Sequence, residues 1–95
     1  MKKIVTEHSK KILVTLTLKE LDLILNCMIL ENHLIEMFKV ALIKNNQLSI
    51  DFTLDELEDL LGYIAAEANH SDDKNLVSWL EKLYDKLDKL ALLYE

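Results

Sequence analysis

The chain repeats itself. At an offset of 36 residues, Ile12–Glu31 and Leu48–Glu67 run through the same order: a short alternating stretch, then Thr-x-x-Glu, then a helical pattern. Thr17/Thr53, Leu18/Leu54, Glu20/Glu56, Leu21/Leu57, Leu25/Leu61 and Glu31/Glu67 are identical, and Ile12/Leu48, Val14/Ile50, Leu16/Phe52 and Asp22/Glu58 keep their character. Alternation at period 2 with β-branched residues predicts a strand. Thr followed three positions later by Glu predicts a capping box, in which each residue satisfies a free N–H of the other at a helix start. The repeating unit is therefore strand–cap–helix, written twice.

The first helix is expected from Leu18 to about Lys44, ending at Asn45-Asn46-Gln47, and the second from Leu54 to about Ala68. Asn69-His70-Ser71 is a turn, and Ser71-Asp72-Asp73 supplies a cap and an acidic first turn to a third helix reaching about Leu93. The fold class is an α+β domain, predominantly helical, with a duplicated strand–helix unit (β-α-β-α) followed by a long C-terminal helix packed as an α-hairpin. Residues 12–44 and 48–69 form the two units, 72–93 the terminal helix, and 1–10 a loose arm or short extra edge strand. Ninety-five residues suffice for one such domain. A helix filling the whole first interval would be a crossover and make the strands parallel and right-handed; the residues leave the pairing direction open.

Helical periodicity sorts the apolar residues into stripes. Leu76, Leu80, Leu83, Leu87 and Leu90 form a seam on the third helix, and Leu54, Leu57, Leu61, Ile64 and Ala68 form its counterpart on the second. The first helix carries two. Leu18, Leu21, Leu25, Met28 and Ile35 match the inner face of the second copy, whereas Leu23, Cys27, Leu30, Leu34, Met37 and Ala41 lie broadly opposite. Position 59, the equivalent of Leu23, is Asp. A helix apolar on two faces needs two covers. The second stripe is accordingly the expected interface of a homodimer, the alternative being a wholly buried central helix. Asn32 either sets register within this helix or marks a bend in it.

Charge and cysteine usage narrow the function classes. All eleven basic residues are lysine, so the bidentate guanidinium fork used for phosphate and guanine recognition is missing, and nucleic-acid binding is disfavoured. Residues 1–46 carry a net +2 and residues 47–95 a net −8, which favours a protein partner of neutral or basic surface. One cysteine excludes an internal disulfide, and a small domain without staples points to the cytoplasm. Lys19, Glu20 and Asp22 make the apolar stretch around them too polar for a membrane span.

Catalytic chemistry finds little support. Cys27 sits on an apolar stripe without a basic neighbour at helical spacing, and no Ser-His-Asp or Cys-His set is legible. No enzyme activity and no cofactor are expected. Glu67-x-x-His70, with Asp72 and Asp73, has oxygen and imidazole donors close together, but Glu31-Asn32-His33 misses the spacing a matching half-site would need. Glu67, His70, Asp72 and Asp73 are thus weak metal candidates only. The expected function is a small cytosolic protein–protein interaction or adaptor domain acting as a homodimer. A metal-binding or regulatory protein using the Glu67–Asp73 turn, or an acidic nucleic-acid mimic, are the alternatives.

Overall fold

A computed structural model describes residues 11–28 and 30–94, the side chain of Cys27 excepted; the arm read over residues 1–10 lies outside them. Seven elements follow in order: β1 (Ile12–Thr17), α1 (Leu18–Cys27), α2 (Asn32–Lys39), β2 (Leu42–Lys44), β3 (Gln47–Phe52), α3 (Leu54–His70) and α4 (Lys74–Leu92). The class is α+β and mostly helical, with a three-stranded antiparallel sheet in the order β1-β3-β2.

Both predicted caps form. Thr17 Oγ1 accepts from the Glu20 N–H at 3.1 Å while Glu20 Oε1 accepts from the Thr17 N–H at 2.8 Å. Thr53 and Glu56 reproduce the same two bonds at 3.1 and 2.8 Å. Each threonine keeps extended backbone, so the strand runs into the cap and the helix starts on the next residue. Thr53→Ala removes the side-chain acceptor for a first-turn N–H and is expected to cost about 0.5–2 kcal/mol. Urea melts that leave the midpoint unchanged would contradict this role.

The first interval differs from the sequence expectation. The helix predicted to reach Lys44 stops at Cys27; Met28 is extended, and α2 begins at Asn32. The bend alternative at Asn32 is the one realised, with Asn32 exposed. A single straight helix would have shown its two apolar stripes to opposite sides. The two short helices instead bring Met28, Leu30 and Leu34 into one core, while Leu18 and Leu25 of the first stripe stay exposed. The pairing direction, which the residues left open, is antiparallel, because the chain reverses before re-entering the sheet. Asn45 and Asn46 have φ of 55° and 63° and join β2 to β3 in a two-residue hairpin turn. Left-handed backbone at both central positions suits the twist of paired strands, and asparagine tolerates it better than most residues.

The register pairs Ile12 with Phe52, Val14 with Ile50 and Leu16 with Leu48, so the buried residues of β1 and β3 share one face. The helices cover that face. Ile24, Leu34, Phe38, Leu57, Leu60 and Ile64 join it in one apolar cluster with Leu80, Leu83 and Leu87. Phe38 meets Phe52 edge-to-face, with ring centroids 5.8 Å apart and planes at 67°. Helices α3 and α4, linked by Ser71–Asp73, pack against each other and close the layer. Among the described residues no polar or charged residue is buried and no buried side-chain polar atom lacks a partner.

Candidate functional site

The stripe expected to face a partner lies largely inside the protein. Leu23 and Leu30 are each 8% exposed and Leu34 is 0% exposed, while Met37 and Ala41 are half-buried against the same core. The Cys27 side chain lies outside the described residues. The break in helix one is the physical reason: Leu34 enters from α2, Leu23 from α1, and Leu30 from the connection between them. Leu30 and Leu34 belong to the core that covers the sheet, and Met37 and Ala41 pack against it.

The Glu67–Asp73 turn is occupied by helix ends. The Ser71 N–H donates to the Glu67 carbonyl at 3.0 Å, closing α3. Asp73 Oδ1 accepts from the N–H groups of Asn75 and Leu76 at 2.9 and 3.2 Å and caps α4. His70 and Asp72 are exposed. Among the described residues, no three His, Cys, Asp or Glu side chains converge as metal ligands.

The two cap glutamates do more than cap. Glu20 Oε1 also accepts from Lys86 Nζ at 2.7 Å, tying the start of α1 to α4. Glu56 Oε2 lies 2.7 Å from His33 Nε2, tying the start of α3 to α2. Burial pushes the Glu56 carboxyl upward, but the Thr53 backbone N–H, the His33 hydrogen bond and the Lys11 charge together hold it below its ordinary value. The two cap glutamates thus brace two different neighbours. Trp79 on α4 is 40% exposed, with Lys19 Nζ 3.4 Å and Lys82 Nζ 5.2 Å from its ring centroid.

Two surfaces unforeseen in the sequence stand out. Val40, Leu42 and Ile43 are 83%, 67% and 56% exposed, at and just before β2, which pairs only with β3 among the described residues. Leu42 aligns with Ser49 and Ile43 with Leu48, so Leu42 points to the outer face of the sheet and Ile43 to the helix side. Leu13, also exposed, adds an apolar side chain to the outer face on β1. The sequence signal was present: Ala41-Leu42-Ile43 followed by Asn-Asn and an alternating run is a hairpin signature. The second surface is an open groove of about 440 Å³ between α3 and α4, floored by Ile64, Ala65, Ala68 and Leu80.

Comparison of the chain with protein-family models, with curated proteins and with solved structures finds no match in any of the three. Among the described residues no helix is long and apolar enough to cross a membrane.

Proposed function

We propose that this chain is a small protein–protein interaction domain that acts as a homodimer, with the β2 edge as its contact in place of the helix-one stripe. The observation that carries the reading is the exposed apolar pair Leu42 and Ile43 on the edge strand β2, with exposed Val40 just before it. An edge strand presents main-chain N–H and C=O groups ready to pair with another strand, and apolar side chains on it favour that pairing. In this reading two copies of one strand–cap–helix unit, β1–α1 and β3–α3, with α3 and α4 as a helical hairpin, form the frame that presents the edge. The role is one of binding rather than catalysis, and the cytoplasm is its compartment.

The partner is a second copy because β2 is compatible with itself. Antiparallel pairing about a two-fold axis at Ile43 places Ile43 against its own copy on the helix side. It sets Lys44 beside Leu42 of the partner subunit, so the lysines do not oppose each other. The two three-stranded sheets become one of six strands. With three residues in the strand, few main-chain bonds form, and the dimer is expected to depend on concentration.

Ile43→Lys tests the contact. Lysine on an edge strand opposes strand addition, and Ile43 is exposed enough for the fold to survive. Light scattering should report a monomer where the wild type reports a dimer, with unchanged circular dichroism. Equal masses for the two proteins, or a dimer that persists in the variant, would remove the β2 contact.

A further inference from the structure

We propose that the groove between α3 and α4 is a docking site for a lysine- or arginine-bearing segment of another protein, with its apolar carbons on the groove floor and its cation at the acidic rim. This site is separate from the β2 edge. Its depth comes from small side chains on α3: Ala65 and Ala68 keep the helix surface low. On the α4 side the rim is Glu81, Tyr84 and Asp85.

The charges of α4 are sorted by flank. Glu81, Asp85 and Asp88 follow i, i+4, i+7 spacing and share one side of the helix; Lys82, Lys86 and Lys89 follow the same spacing about a hundred degrees on. On the lysine flank, Lys86 pairs with Glu20 and Lys82 lies near the Trp79 ring. Among the described residues, no cation lies within 4 Å of Glu81 or Asp85. Two carboxylates one turn apart therefore border an apolar floor with no counter-ion among the described residues. A cation placed between them relieves their mutual repulsion, and the net −8 of residues 47–95 draws a basic partner toward this half of the molecule.

The shape selects among cations. A hydrated metal ion has no apolar body for Ile64, Ala65, Ala68 and Leu80 to cover, and a free polyamine interrupts its methylenes with a charged nitrogen every three or four carbons. A lysine or arginine side chain lays its methylenes on such a floor and extends its charged head to the rim. The groove is open and runs between two long helices, so a chain segment can lie along it.

Three probes test this by nuclear magnetic resonance on the full chain: a short peptide of Leu-Lys-Lys-Leu repeats, its Leu-Glu-Glu-Leu counterpart, and spermidine. The lysine peptide is expected to shift the amides of Ala65, Ala68, Tyr84 and Asp85, and the other two probes to leave them in place. Glu81→Gln with Asp85→Asn keeps the shape of the rim and should weaken binding about fivefold, with a smaller salt dependence. Ala65→Leu, which fills the floor, should abolish the shifts; the exposed rim variant keeps the test valid if that protein does not fold. The Ile43→Lys background should bind the lysine peptide equally well, so failure of the dimer and failure of the groove are told apart. No shifts, shifts confined to other surfaces, equal shifts with the glutamate peptide or with spermidine, or undiminished binding by the rim variant would each overturn the proposal.

Discussion

Leu34→Glu is expected to unfold the domain. Leu34 is fully buried where α2 meets the core. Replacing it forfeits about 1.5–3 kcal/mol of apolar burial. Keeping a carboxylate in its place without a partner costs several kcal/mol more, whether it stays charged or takes up a proton. A typical domain has about 5–15 kcal/mol of stability in total, and small cores fall toward the lower end. Circular dichroism of the variant at neutral pH should therefore show loss of most of the helical signal. On an interface stripe the same glutamate would have released a folded monomer. A variant with wild-type dichroism and a cooperative melt would contradict the burial of Leu34 and restore the stripe as a surface.

Phe52→Ala should produce the second large effect. Phe52 is fully buried at the last position of β3, and its edge-to-face contact with Phe38 fastens α2 to the sheet. Truncating a buried phenylalanine to alanine costs about 3–5 kcal/mol, through lost transfer energy and the cavity left behind. The aromatic geometry contributes about 0.5–1.5 kcal/mol of that as specific coupling. Denaturant melts of Phe52→Ala, Phe38→Ala and the double variant form a cycle that isolates the coupling. A loss below about 1 kcal/mol for Phe52→Ala would show that the site repacks freely, contrary to the close packing expected of an interior.

Local signals were legible in the sequence where one interaction decides the outcome. Thr17 with Glu20 and Thr53 with Glu56 form their caps because each needs only residues three apart. The alternation of Ile12, Val14 and Leu16 marks a strand for a similar reason, since one face meets the core and the other does not. The interval between the two units was harder to read. Leu18–Lys44 contains no proline or glycine, so propensity allows an unbroken helix. Tertiary burial decided otherwise: the helix breaks at Met28, and Met28, Leu30 and Leu34 enter one core. Asn45-Asn46 was legible as a helix stop, and its left-handed pair of residues makes it a hairpin turn as well.

The candidate surfaces were less legible for a geometric reason. The metal donors around His70 are close in sequence, yet Asp73 turns its carboxylate to the first turn of α4. The groove depends on how α3 and α4 lie together, which side-chain spacing on either helix alone does not state. The exposure of Leu42 and Ile43 follows from the position of β2 at the edge of the sheet, a property of strand order.

Light scattering of the wild-type protein across a dilution series tests the central claim most directly. Association through the β2 edge predicts a mass that rises with concentration from the 11.0 kDa of the single chain toward twice that value. A mass that stays at one chain throughout, into the high micromolar range, would contradict the homodimer.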